Sequence, residues 1–197
     1  MRVLNAEFLR SIVDISQRKF VGVSEVGFIG RSNVGKSSLI NCLLTRKVAR
    51  TSSSPGATKT INLYKIEYEY KGKRRWIILS DFPGFGYTAL PKNVYENWER
   101  MVDSYISENT FIKRIIWVLD VRRTFDRLDH LTLNWLTLKK IDFSVAVTKV
   151  DKVSKSEALM KKDELLTVVG DIPIFLVSAK QGTGRKELLG HIFDSVV

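Results

Sequence analysis

Residues 30–37 read Gly-Arg-Ser-Asn-Val-Gly-Lys-Ser, and residue types in that spacing can do one kind of chemistry well. Glycines at 30 and 35 let the backbone curl until successive N–H groups face one point. A dense cluster of anionic oxygens needs such a cradle, and Gly, four residues, Gly-Lys-Ser is the phosphate-loop template. The candidate cradle is Gly30, Arg31, Ser32, Asn33, Val34, Gly35, Lys36 and Ser37, with Ser38 opening the helix behind it. Lys36 is expected to reach the β- and γ-phosphates and the Ser37 hydroxyl to ligate Mg²⁺. A chance match would lack the flanking elements. Here Glu25–Ile29 reads as a strand and Ser38–Leu44 as a helix.

Two further acidic positions recur at the ends of apolar runs. Asp81-Phe82-Pro83-Gly84 follows Trp76–Ser80, about 45 residues after Lys36. A carboxylate there can support Mg²⁺, and the Gly84 N–H can approach a γ-phosphate, so that loss of the phosphate frees the loop. Alone, Asp-x-x-Gly is most often a turn. Thr148-Lys149-Val150-Asp151 follows the run Phe143–Thr148. Asp151 can accept from both N1–H and the 2-amino group of guanine, and adenine offers neither donor. The Lys149 stem can lie against base or ribose. Val177, Ser178 and Ala179 stand at the next strand end, where the Ala179 N–H can meet guanine O6. Between the phosphate loop and Asp81 lies a polar Pro/Gly-containing loop, with Gly56, Ala57, Thr58, Lys59 and Thr60 as its candidate nucleotide contacts. Thr58 and Thr60 both carry the hydroxyl a metal-sensing loop needs, and spacing does not choose between them.

These positions require a scaffold that brings strand ends together. After residue 25, strand and helix signals alternate, which predicts an α/β fold with helices on both faces of a mostly parallel sheet. Ile61–Tyr70, Lys71-Gly72-Lys73 and Trp76–Ser80 read as an antiparallel hairpin, placing one antiparallel strand at the edge. Ile115–Asp120, Phe143–Thr148 and Ile174–Val177 read as strands, and 93–107, 127–139, 154–169 and 184–196 as helices. Ser154 and Glu157 form a capping-box pattern. Residues 1–197 are expected to form a single domain, with 1–22 an extension; Glu7–Ile15 fits either helix or edge strand.

Composition narrows the class. Lys plus Arg is 32 against 21 for Asp plus Glu, a net charge of +11, more than a nucleotide pocket needs. Such an excess favours polyanions, whereas a merely solvated surface would account for solubility alone. The one cysteine, Cys42, excludes an internal disulfide and reads as a small buried thiol. His130 and His191 show no metal-ligand spacing. No run is long enough to span a bilayer and no secretory leader is visible, so a cytoplasmic protein is expected.

The motifs together resemble the translation-factor class of GTPases, and specifically the EngB (YihA/YsxC) family of bacterial ribosome-assembly GTPases. The resemblance spans about residues 20–195. It rests on Gly-Arg-Ser-Asn-Val-Gly-Lys-Ser-Ser-Leu-Ile-Asn (30–41), Ser-Pro-Gly-Ala-Thr (54–58), Asp-Phe-Pro-Gly-Phe-Gly-Tyr (81–87), Leu119-Asp120-Val-Arg122 and Thr-Lys-Val-Asp-Lys (148–152). It implies a Ras-like domain, GTP and GDP as ligands, Mg²⁺, GTP hydrolysis, association with the large ribosomal subunit or its precursors through ribosomal RNA and proteins, and a requirement for normal division and septation. It picks Thr58 as the magnesium-binding threonine, beside Ser37 and Asp81. Phe82, Phe85 and Ala57 depart from the family's usual Leu, Tyr and Arg or Lys.

In this setting Lys36, Thr58, Gly84 and Asn33 are the candidate catalytic residues. Many GTPases orient the attacking water with a glutamine after the glycine; here Phe85 stands there, so slow turnover is expected. Asn33 is a candidate for holding K⁺, as the analogous asparagine does in some related GTPases, or else for stabilising its own turn. The cations Arg46, Lys47, Arg50, Lys71, Lys73, Arg74, Arg75, Arg122, Arg123 and Arg127 are candidates for RNA contact, with Phe82, Phe85 and Tyr87 available to stack or to pack inward. A monomer without DNA or membrane partners is expected. Alternative readings are a signalling or membrane-associated small GTPase, which Arg2 and the ending Asp194-Ser-Val-Val disfavour, and an RNA-binding protein using GTP chiefly as a structural ligand.

Overall fold

Runs of β-branched and aromatic residues form the strands, and the amphipathic segments between them fold into helices over both faces. The computed structural model describes residues 2–19, 21–49, 60–86 and 92–196, with 92–99 as backbone alone. Its strands are β1 (Arg2–Ile12), β2 (Glu25–Gly30), β3 (Ile61–Tyr70), β4 (Lys73–Asp81), β5 (Ile112–Asp120), β6 (Phe143–Thr148) and β7 (Ile174–Leu176). Its helices are α1 (Lys36–Leu44), α2 (Lys92–Glu108), α3 (Arg127–Leu138), α4 (Lys155–Val169) and α5 (Arg185–Asp194). The strands form one sheet in the order β1-β3-β4-β2-β5-β6-β7. β2 pairs in parallel with β4 and β5, and β6 continues the parallel set to β7. β3 alone runs against its neighbours, antiparallel to both β1 and β4.

The hairpin expected between β3 and β4 is present. Its two-residue turn puts Lys71 at φ 48 and Gly72 at φ 73, the left-handed pair that matches strand twist. β3 is not the last strand, however. Arg2–Ile12 supplies β1 outside it, resolving the helix-or-strand choice over Glu7–Ile15 in favour of an edge strand. Two apolar layers hold the sheet. One packs Leu39, Ile40, Leu43 and Leu44 of α1 and Leu188, Ile192 and Phe193 of α5 on Phe28, Ile66 and Val118. The other packs Val102, Tyr105 and Ile106 of α2, Leu136 of α3 and Leu165 of α4 on Ile78, Trp117 and Val145. Helix starts follow local chemistry: Ser154 and Glu157 complete the expected box on α4, and Asp126 with Asp129 completes another on α3.

The chain turns from one side of β2 to the other between β4 and β5. In an open α/β sheet that reversal opens a crevice at the strands' carboxyl ends. Gly30, Asp81, Asp120 and Thr148 are the last residues of β2, β4, β5 and β6, so the motif residues meet there.

Candidate functional site

The phosphate loop runs from the end of β2 into α1, which begins at Lys36 rather than Ser38. Gly35 caps that helix at φ 100 and Asn33 sits at φ 64, so the loop alternates through left-handed backbone as an amide cradle requires. Lys36 is buried, with Nζ 2.7 Å from Asp81 Oδ1. The Ser37 hydroxyl donates to Asp81 Oδ2 at 2.8 Å. Two residues at the start of α1 thus converge on the carboxylate at the end of β4. A hydroxyl beside a carboxylate is a hard-oxygen pair that fits Mg²⁺, an ion that takes few protein ligands and completes its shell with phosphate oxygens and water. Among the described residues no cluster of three or more His, Cys, Asp or Glu side chains could hold a metal unaided.

The segment after Asp81 lies along the phosphate loop. Phe85 N–H donates to the Gly30 carbonyl at 3.3 Å and the Phe85 carbonyl accepts from Ser32 N–H at 3.0 Å. Gly84 is pressed so close that a Cβ there would come within 2.8 Å of Ser32 Cα, which explains a glycine at this point. Phe82 is fully buried, its ring 5.4 Å from that of Tyr105, and Phe85 is buried as well. Both aromatics therefore pack inward, and of their two expected roles, stacking and packing, they take the second. Tyr87 lies outside the described residues, as do Gly56, Ala57, Thr58, Lys59 and Arg50. The Thr60 hydroxyl is engaged with Asn62 Oδ1 at 3.4 Å, on β3.

At the end of β6, the Thr148 hydroxyl donates to the Val34 carbonyl at 2.6 Å and to the Leu119 carbonyl at 2.9 Å. Lys149 Nζ donates to the Asn33 carbonyl at 2.7 Å. The Thr148–Asp151 segment and the phosphate loop are thereby joined directly. The Asp151 carboxylate accepts from the Ser178 hydroxyl at 2.6 Å, which holds its pKa below the usual carboxylate value. Ser178 therefore orients Asp151, and Val177, buried just before it, accepts from Val150 N–H at 3.4 Å. A cavity of about 680 Å³ opens between these loops, lined among others by Gly35, Ser38, Thr148, Lys149, Asp151 and Ala179. Cys42 lines the same cavity and is half-buried, not the enclosed thiol that its place in the helix predicts, because the α1 end faces the crevice.

Several residues make contacts that their sequence positions do not announce. Asn41 accepts from Val48 and Ala49 N–H at 2.9 and 2.8 Å and donates to the Ala49 carbonyl at 2.8 Å, pinning the chain that leads away from α1. Arg31 is buried and bridges the phosphate loop to Asp126 and Asp129 at the start of α3. Arg46 and Arg122, candidates for an outside partner, are exposed and also make contacts within the chain: Arg46 with Asn5 and the Leu4 carbonyl, Arg122 with Asp120. The hairpin cations Lys71, Lys73, Arg74 and Arg75 are exposed but stand at the far end of β4, roughly 26 Å of strand from Asp81.

A cradle with Lys36 and Ser37 on Asp81, joined to a strand end that carries the Asp151 carboxylate, has the chemistry to take a nucleotide and its metal together. Residues 25–149 match a family model described as 50S ribosome-binding GTPase. The chain is 39% identical over 99% of its length to a probable GTP-binding protein EngB of Koribacter versatilis, covering 95% of that protein. The chain belongs to the EngB family of GTPases. Like other members it binds and hydrolyses GTP. A probable EngB of Aquifex aeolicus is 37% identical over 86% of the chain and 90% of its own length. Among solved structures, a probable GTP-binding protein EngB superposes with TM-score 0.67 at 30% identity, over 88% of this EngB-family chain and 98% of that one. Aquifex aeolicus Era bound to GDP and aluminium fluoride superposes with TM-score 0.74 at 26% identity, over 89% of this chain and 57% of Era. Era in complex with a GTP analogue and a segment of 16S ribosomal RNA gives TM-score 0.73 at 25% identity, over 89% and 57%.

Proposed function

We propose that the protein is a cytoplasmic GTP-dependent switch that docks on the large ribosomal subunit or its precursors during assembly and thereby supports normal division and septation. Ser37 and Lys36 meeting on Asp81, beside a carboxylate poised for guanine, is the observation that carries the switch reading. The amides of 30–37 and Lys36 stabilise phosphate charge. Ser37, Thr58 and Asp81 serve the metal, and the Gly84 N–H reports on the γ-phosphate. Asp151 reads the base, with Ala179 at O6 and Ser178 behind it. Mg²⁺ supplies charge neutralisation at the β- and γ-phosphates when bound.

Phe85, buried and apolar, cannot orient the attacking water, so turnover by the free protein is slow and a partner or K⁺ near Asn33 speeds it. Equal rates in K⁺ and Na⁺ buffers would remove the K⁺ role. The ribosomal reading draws support from the charge of +11, much of it carried by exposed side chains outside the cavity, and from the RNA-bound Era neighbour. Phosphate contacts release counterions, so such docking must weaken steeply with salt. Cosedimentation with large subunits, with GDP or a GTP analogue over a salt series, tests it. Binding that depends on both nucleotide and salt is expected. Indifference to both contradicts the proposal.

A further inference from the structure

Asp120, the last residue of β5, lies under the join between the base loop and the phosphate loop and is 6% exposed. Three groups converge on its carboxylate. Lys149 Nζ lies 2.9 Å from Oδ2. The Arg122 guanidinium grips both oxygens, Nε to Oδ1 at 2.9 Å and Nη2 to Oδ2 at 2.7 Å. The Arg122 backbone N–H adds a bond to Oδ1 at 3.1 Å. Burial pushes this carboxyl's pKa up, but the hydrogen bonds from Arg122 and Lys149 outweigh it and hold the pKa at about 2. The group is therefore an anion wherever the protein works.

The direction of the contacts matters more than their number. Lys149 shares its ammonium between Asp120 and the Asn33 carbonyl. Its neighbour Thr148 shares its hydroxyl between the Leu119 and Val34 carbonyls. Two successive side chains from the end of β6 are thus anchored on two successive residues of β5, and both reach two successive carbonyls of the phosphate loop. Lys149 also sits at φ 61, a left-handed conformation that a lysine adopts at a cost and that its surroundings must maintain. A long, flexible lysine would otherwise lose its position to solvent.

We propose that Asp120 is a positioning residue for the nucleotide: its carboxylate fixes Lys149 on the Asn33 carbonyl and so sets the spacing between base loop and phosphate loop to that of one guanine nucleotide. This rests on the guanine-nucleotide reading of the cavity. The competing arrangement is purely structural, with Asp120 holding the turn after β5 through Arg122.

The test is a double-mutant cycle on the full chain, reading GDP and IDP affinity by calorimetry and the thermal midpoint without nucleotide. Asp120→Asn and Lys149→Met are each expected to weaken GDP roughly 10–100-fold, the loss of one charge-assisted hydrogen bond. Because they break the same join, the double variant should be no weaker than the worse single variant within about threefold. The GDP-to-IDP ratio should stay near that of the unmodified chain, since Asp151 still reads the 2-amino group. Asp120→Asn combined with Arg122→Met should instead show independent effects. Should Asp120→Asn fail to fold, Asp120→Glu carries the same cycle, its carboxylate displaced by one methylene. Losses that multiply with Lys149→Met, coupling to Arg122→Met alone, or a lowered thermal midpoint with GDP affinity unchanged would each overturn the proposal. Failure of the unmodified chain to bind GDP would overturn the guanine reading itself.

Discussion

Glu25 and Asp81 are both buried carboxylates on adjacent strands, 0% and 2% exposed, yet their surroundings have opposite character. Glu25 is closed on every side. Arg18 Nε lies 2.8 Å from Oε2, Asn109 donates at 3.0 Å, the Tyr105 hydroxyl at 2.8 Å, and the Ser80 hydroxyl completes the set. Those donors come from the N-terminal segment, β4 and the end of α2, and Arg18 also caps the Val23 carbonyl. Asp81 meets Lys36 and Ser37, both on the phosphate loop's helix start. A buried charge is costly unless matched, so both clusters must be matched by something. Around Glu25 the fold does the matching. Around Asp81 the partners are groups that phosphate and metal can recruit. The same buried chemistry is closed by the fold in one place and, on the proposed reading, left for a ligand in the other.

The comparison is broken most directly by exchanging the expected effects. Arg18→Met strips Glu25 of its cation and should cost about 3–5 kcal/mol of stability, a fall of roughly 10 °C in thermal midpoint, with GDP affinity of the folded protein unchanged. Asp81→Asn should do the reverse: GTP hydrolysis in Mg²⁺ falling at least about 100-fold, with the midpoint of the nucleotide-bound protein falling less than for Arg18→Met, since bound phosphate then matches Lys36. Thermal melts and single-turnover assays on the two proteins check both halves, and a swapped result sinks the distinction.

Asp151→Asn sharpens the ligand side. An amide can donate to the C2 carbonyl of xanthine where the carboxylate accepted from guanine, so preference should shift from GDP toward XDP by about two orders of magnitude. Competition binding with both nucleotides measures it.

A smaller effect concerns acid. The Asp120 carboxyl titrates at about 2 in the folded chain against an ordinary 3.8. A depressed pKa stabilises above the unfolded value, and that share is lost as pH falls through the folded one. The stability advantage of the natural chain over Asp120→Asn should shrink by about 2 kcal/mol between pH 5 and pH 2. Urea unfolding at several pH values checks this.

The smallest effect belongs to the hairpin. Lys73→Ala, Arg74→Ala and Arg75→Ala together should lower the salt slope of RNA binding by about 2–3. GDP affinity should not move, because these cations stand a strand's length from the cavity. Filter binding over a salt series reads the slope.

What the sequence discloses follows from which forces are local. Alternating apolar residues mark Ile61–Tyr70, and a solid apolar run marks Phe143–Thr148; both strands have the bounds their patterns predict. The Ser154–Glu157 box places α4 because capping is a contact between near neighbours. The phosphate-loop, Asp81 and Asp151 motifs are legible for the same reason, since each sits at the end of a readable strand. Over Glu7–Ile15 the pattern fits helix and edge strand alike, and the β1 that forms there slips register against β3 between Val3 and Asn5 and again between Phe8 and Arg10. Long-range partners leave no such trace. Nothing near Arg18 announces Glu25, and nothing near Asp120 announces Lys149. The contacts that Arg46 and Arg122 make within the chain, and the distance of the hairpin cations from the phosphate loop, likewise depend on the folded sheet.

Isothermal titration of the purified chain with GDP and with ADP, both in Mg²⁺, tests the central claim most directly. The account predicts a saturable GDP isotherm and no measurable ADP binding, because adenine leaves Asp151 without its two donors. Equal affinity for the two nucleotides, or binding of neither, would contradict it.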